Sequence, residues 1–154
     1  MLIIENIPRV AICGYLKRID KIMKDLYTYL NEAMTDVSIF AIIKPGFDDV
    51  ASDIISYIKG QGYLITNMLE KQLDCGQAEM LYDVHKDESF FDDLCKYMSS
   101  DKCIGLMIAN PLHKDFDKTK EEIRNKWGRD EMKNALHSSD SKKRVEYESH
   151  IFFE

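Results

Sequence analysis

Apolar residues recur at two different spacings along this chain, and the change of spacing divides it. Leu16, Ile19, Ile22, Met23, Leu26 and Leu30 follow a helical period, with Lys17, Asp20, Lys24 and Asp25 on the other faces. That pattern predicts an amphipathic helix within residues 1–36, whose stripe could dock on the rest of the chain or take a partner. From Ser38 the spacing shortens. Ile39-Phe40-Ala41-Ile42-Ile43 is a β-rich apolar run stopped by Pro45-Gly46, as expected of a buried strand. Val50, Ile54, Ile55 and Ile58 then mark a helix closed near Gly60 and Gly62. A second strand is expected from Tyr63 to Leu69, helical segments over 78–82 and 90–98, and a third strand from Cys103 to Ala109, ended by Asn110-Pro111. A polar, charged stretch runs to Glu122, followed by a short segment to Asn134, a turn at His137 and a last helix from about Asp140.

This order suits an α+β fold with an antiparallel, ferredoxin-like, four-stranded sheet and helices packed on it, better than a doubly wound parallel sheet. The expected division is an N-terminal helical extension over 1–36 and one domain over 37–154. A length of 154 residues with 45% apolar and 31% charged residues suits a single globular core with a short appendage. The net charge of −6 argues against a nucleic-acid partner, although a few local cations can still make one cleft attractive to an anion. Cys13, Cys75, Cys95 and Cys103 form no CxxC pair, so a zinc knuckle or dithiol redox site is not expected. Glu5 and Arg9 interrupt the apolar start, and the longest uncharged apolar run, Val37 to Ile43, is too short for a membrane span. No membrane association, no dedicated metal site and a cytoplasmic location are therefore expected.

Neither GxxxxGK[ST] nor GxGxxG occurs, so any phosphate chemistry would fall to side-chain cations and helix N-termini. His137 is the most unusual local feature. It precedes Ser138-Ser139-Asp140-Ser141, a cluster of N-cap types, and a histidine at a helix entrance is favoured as the neutral imidazole with a free lone pair. On the last helix Val145, Glu148 and Phe152 share a face, which puts a carboxylate on the apolar side, where it needs a donor. The ring N–H of His137 is a natural one, and that pairing would fix the tautomer. On these grounds alone a structural or merely exposed histidine remains open.

Four blocks in order carry a resemblance: Ala41-Ile42-Ile43-Lys44-Pro45; Phe90-Phe91-x-x-Leu94-x-x-Tyr97-Met98-Ser99-Ser100; Ile123-Arg124; and Asn134-Ala135-Leu136-His137-Ser138-Ser139-Asp140-Ser141. With them, residues 38–153 resemble a nucleoside diphosphate kinase. The resemblance implies ping-pong transfer of the γ-phosphoryl group of ATP, or another nucleoside triphosphate, to a nucleoside diphosphate through phospho-His137. It implies that Lys44 contacts phosphate and ribose, that the Tyr82 hydroxyl lies beside the histidine, and that Phe90 stacks on the base. Arg124 would bind phosphate, Asn134 the ribose, and Ser139 and Glu148 would support the histidine. Mg²⁺ would arrive on the nucleotide phosphates. Taken singly, Lys44 also reads as a strand end, Arg124 as a surface cation, Phe90 and Tyr82 as core edge, and Asn134 as a turn residue.

The chain departs from the family pattern in three places. Before Ile123-Arg124 it is about ten residues short, a stretch that in the family holds another arginine, a threonine and part of the hexamer contact. The resemblance therefore leaves a homo-oligomer open but does not carry over the hexamer. Lys114, Lys118, Thr119 or Lys120 would be the substitutes for the lost phosphate contacts. Ser138 stands where the family has glycine, and serine would be strained there if φ were positive. Lys44-Pro45-Gly46-Phe47 replaces Lys-Pro-Asp-Gly. These departures give the alternative of a weakly active or inactive family-derived binding or scaffold domain.

Overall fold

In a computed structural model of the chain, residues 9–35 and 38–154 are described. The chain divides into two compact units, Met1–Asp36 and Val37–Glu154. The first is built on one helix, α1 (Arg9–Thr35). The second runs β1 (Ser38–Ile43), α2 (Ala51–Gly60), β2 (Leu64–Gln72), α3 (Cys75–Leu81), α4 (Phe91–Met98), β3 (Lys102–Ala109), α5 (Phe116–Trp127), β4 (Leu136–Ser138) and α6 (Lys142–Phe153).

The four strands form one sheet in the order β2-β3-β1-β4, every pair antiparallel. This is the expected α+β, ferredoxin-like arrangement. The uniform apolar run of β1 is explained by its central position: Phe40 and Ile42 enter one core with α3, α4 and α6, while Ala41 and Ile43 enter another with α2 and α5. A strand covered on both faces loses the usual alternation of apolar and polar residues. Gly46, at φ +81°, makes the turn that ends β1, and Gly62, at φ +93°, follows α2 with its N–H on Lys59 O. Positive φ at such a helix end strongly favours glycine. Asp74 caps α3 by accepting from the Gln77 N–H at 2.7 Å, and the Gln77 side chain accepts in return from the Asp74 N–H.

Two stretches depart from the expectation. The polar stretch to Glu122, for which the sequence pattern gives no element, holds the start of helix α5 from Phe116, capped by Asp115, whose carboxylate accepts from the Asp117 N–H. Its buried stripe is only Phe116, Thr119 and Ile123, too thin to show in the hydrophobic period. His137, expected at a turn, lies in the middle of β4, with Ala41 opposite Ser138, Ile42 opposite His137 and Ile43 opposite Leu136. Its amide order comes from a neighbour remote in sequence, which no local pattern reveals.

Gly105 of β3 sits directly under Phe152 of α6. A Cβ at this glycine would come within 2.4 Å of the buried ring. Gly105→Ala is expected to destabilise the domain by about 1–3 kcal/mol through overpacking and to lift the helix that carries Glu148. Urea denaturation would check it; an unchanged midpoint would show that Phe152 moves aside freely.

Candidate functional site

Residues opposite one another in an antiparallel pair share a face of the sheet. His137 pairs with Ile42, so its ring lies on the side covered by α3 and α6. There its Nε2 meets Glu148 Oε2 at 2.8 Å. The same oxygen accepts from Ser139 Oγ at 2.5 Å, and Glu148 Oε1 accepts from Arg144 Nε at 2.8 Å. Arg144 is itself held by Asp83 Oδ1 and the Leu81 carbonyl, both at 2.8 Å. The backbone of Ser139 is tied to Phe40 O at 2.9 Å. Glu148 is only 2% exposed. Burial alone would push its carboxyl up, but the bonds from His137, Ser139 and Arg144 prevail and hold it below its ordinary value.

A carboxylate can only accept, so the proton of the neutral ring sits on Nε2 and the Nδ1 lone pair is left free. Burial lowers the pKa of His137; the bond to Glu148 opposes this, and the nearby charges of Lys44 and Arg124 add to the lowering. The ring is thus held neutral. A helix dipole is not the cause, because α6 starts only at Lys142, with Ser141 as its cap. Two residues before His137, Ala135 is fully buried at φ +72°, the left-handed region, while its carbonyl accepts from the Lys44 N–H at 2.9 Å. Ser138 has no positive φ and lies in regular strand, so the strain considered for it does not arise.

Beside His137 opens a cavity of about 440 Å³ lined by all six of Lys44, Tyr82, Phe90, Arg124, Asn134 and His137. Lys44, at the end of β1, is 5% exposed and donates from Nζ to Met132 O at 2.9 Å. Burial and then Arg124 lower its pKa to about 8, against the pull of Asp130. Arg124, on the last turn of α5, donates from Nε to Leu136 O at 2.9 Å, which ties its guanidinium to the strand bearing His137. The Tyr82 ring stands edge-on to His137, centroids 5.2 Å apart. Phe90 is 42% exposed and lies 5.6 Å from the His85 ring. Asn134 donates from Nδ2 to Glu131 O at 2.8 Å.

Among the described residues, two buried side-chain polar atoms have no partner within the protein: Tyr82 Oη and Asn134 Oδ1. Such atoms normally find one, and both belong to residues lining the same cavity, which fits a polar ligand supplying the missing bonds. Burial raises the Tyr82 pKa and keeps its hydroxyl a donor.

Four lining residues were not anticipated: His85, Leu94, Glu131 and Met132. Nor were Arg144 and Asp83, although Arg144 stands four residues before Glu148, the spacing of a helical ion pair. The candidate substitutes for lost phosphate contacts lie elsewhere. None of Lys114, Lys118, Thr119 and Lys120 lines the cavity. Lys114 Nζ is bonded to the Gln61 carbonyl, Thr119 is buried beside the Tyr63 hydroxyl, and Lys120 pairs with Asp117 at 2.5 Å. They serve the α5 side of the domain. Among the described residues no group of three or more His, Cys, Asp or Glu could hold a metal ion, and no helix is long and apolar enough to cross a membrane.

Comparison with known proteins gives a consistent picture. The model of the family described as nucleoside diphosphate kinase matches residues 38–116, a span that ends before Arg124, Asn134 and His137. A nucleoside diphosphate kinase of Ignicoccus hospitalis is 33% identical over 129 residues, covering 74% of this chain and 86% of its own. One of Citrifermentans bemidjiense is 32% identical over 131 residues, covering 74% and 93%. Among solved structures, the Aquifex aeolicus nucleoside diphosphate kinase has a TM-score of 0.68 at 24% identity, covering 77% of this chain and 95% of that one. The Halobacterium salinarum enzyme in complex with CDP has a TM-score of 0.66 at 20% identity, covering 76% and 87%.

Proposed function

Because the chain belongs to the nucleoside diphosphate kinase family, we propose that it moves the γ-phosphoryl group of ATP to a nucleoside diphosphate through phospho-His137. The observation that carries this reading is a neutral imidazole whose Nε2 is taken by Glu148, leaving Nδ1 free in a cavity shared with Lys44 and Arg124. In the first half-reaction the Nδ1 lone pair attacks the γ-phosphorus. The N–P bond forms, the bond from phosphorus to the bridging β,γ-oxygen breaks, and the diphosphate leaves with that oxygen. The ring then carries positive charge, which the Glu148 carboxylate offsets through the Nε2–H. In the second half-reaction a terminal β-phosphate oxygen of the acceptor attacks the same phosphorus and the N–P bond breaks.

Positioning and charge neutralisation do most of this work. Lys44 and Arg124 bind the phosphate oxygens, the Tyr82 hydroxyl donates near the transferred group, Asn134 takes a ribose hydroxyl, and Phe90 stacks on the base. Mg²⁺ carried by the nucleotide would neutralise further phosphate charge. Incubation with ATP labelled at the γ-phosphate should leave an acid-labile, alkali-stable label on the protein that GDP discharges as GTP. No label at millimolar nucleotide and magnesium would sink the proposal.

The lowered pKa of Lys44 gives a pH dependence with a definite sign. In the free protein the ammonium loses its charge as pH rises through about 8, so affinity for Mg–ADP should fall above that value. Lys44→Arg keeps the charge and should abolish the alkaline fall. Calorimetric titrations on both sides of this pH would check it; a parallel fall in the arginine variant would assign the effect to another group.

A further inference from the structure

The cavity holds a charge that phosphate binding does not use. Among its lining residues Glu131 is the one carboxylate, in a wall whose other polar groups are cations, imidazoles, a phenol and an amide. A carboxylate facing phosphates would weaken their binding, so its presence needs a different explanation. Glu131 shares the lining of this cavity with Phe90, His85 and Leu94.

Its backbone is well fixed. Arg129 N–H donates to Lys133 O at 2.8 Å, and Asp130 Oδ1 accepts from the N–H groups of Met132 at 2.9 Å and Lys133 at 2.6 Å. The Glu131 carbonyl takes the Asn134 amide, and the next carbonyl, of Met132, takes Lys44 Nζ. The side chain itself is exposed at the cavity rim, so it reaches a ligand without a large desolvation cost.

The geometry points to Glu131 as a specificity residue that selects guanine among the bases stacked on Phe90. This rests on the nucleotide reading of the cavity proposed above. A carboxylate offers two acceptors side by side. Guanine presents two adjacent donors, N1–H and the 2-amino group, which can bind it in a bidentate manner. Adenine and cytosine each present one amino group beside a ring-nitrogen acceptor, which the carboxylate repels. Hypoxanthine keeps N1–H but lacks the 2-amino group, so it isolates half of the interaction.

The test is calorimetric binding of Mg–GDP, Mg–IDP and Mg–ADP to the full chain and to Glu131→Ala and Glu131→Gln variants, with His137 labelling followed separately on the same preparations. The native chain should bind GDP about tenfold more tightly than ADP, with IDP between the two. Glu131→Ala should reduce that ratio to about one without weakening ADP, and Glu131→Gln, with one acceptor left, should fall between. Equal affinity for GDP and IDP in the native chain, or a ratio that survives in Glu131→Ala, overturns the inference. Guanine preference without label would leave Glu131 its role and remove the kinase reading. Label without preference would do the reverse, and failure to bind any nucleotide would end both.

Discussion

A His137→Ala variant should fold and bind nucleotide yet take no label from γ-labelled ATP. Loss of the nucleophile removes the only route through a phosphoenzyme, so steady-state transfer from ATP to GDP should drop by at least ~10⁴-fold. The fold should tolerate the change, because the ring is held at an edge strand by side-chain contacts and the backbone pairing of β4 with β1 does not involve it. Its removal leaves Glu148 with Ser139 Oγ and Arg144 Nε as partners, so no buried charge is abandoned. Nucleotide affinity measured in parallel separates the chemical role from a binding role. A variant that still acquires acid-labile label would transfer the nucleophile to another side chain and overturn the mechanism.

Glu148→Ala should damage both stability and turnover. The carboxylate joins His137, Ser139 and Arg144, and its side chain is 3% exposed, so solvent does little to screen these contacts. Removing it strands part of the Arg144 guanidinium and is expected to cost about 3 kcal/mol. It also frees the imidazole to choose either tautomer and either ring orientation, which should lower turnover by about 10²-fold or more. Glu148→Gln keeps an acceptor for the Nε2–H but removes the charge that offsets the phosphorylated ring, so its loss should fall mainly on turnover. The pH dependence has the usual carboxylate sign. Because the folded group is held below its unfolded value of 4.5, its stabilisation is complete above that pH and fades as pH falls through the lower, folded value. Glu148→Gln should lack that acid limb in urea denaturation followed against pH. Unchanged turnover in both variants would show that the histidine needs no orienting partner.

The parts of the fold that could be read from the sequence are those whose order is local. α2 announces itself because Ile54 and Ile58 repeat at helical spacing and Gly62 stops the chain where positive φ is needed. β1 is visible because burial on both faces makes it uniformly apolar. α5 is not, since its buried stripe includes a threonine and most of its surface is charged. β4 could not be read at all: three residues with a histidine in the middle carry no strand signal, and only the register with β1 makes them one. The site divides similarly. The meeting of His137 with Glu148 follows from a helix face and the rule that a buried carboxylate needs a donor. The gathering of Lys44, Tyr82, Phe90, Arg124 and Asn134 around it came from family resemblance, since they stand on separate elements whose approach no spacing rule predicts. Glu131 escaped both routes, because it sits in an irregular turn between α5 and β4.

The shortness of β4 has a thermal consequence. The strand lies at the edge of the sheet and pairs with β1 over only three residues. Opening it exposes far less apolar surface than melting the two cores, so edges of this kind come apart in excursions well below the global unfolding free energy. This edge is expected to fray before the rest of the domain melts, so activity should be lost on heating below the global transition and return on cooling. A nucleotide bridging Lys44, Arg124 and Asn134 would staple that edge shut, so protection by substrate should be greater for activity than for the melting of the domain as a whole.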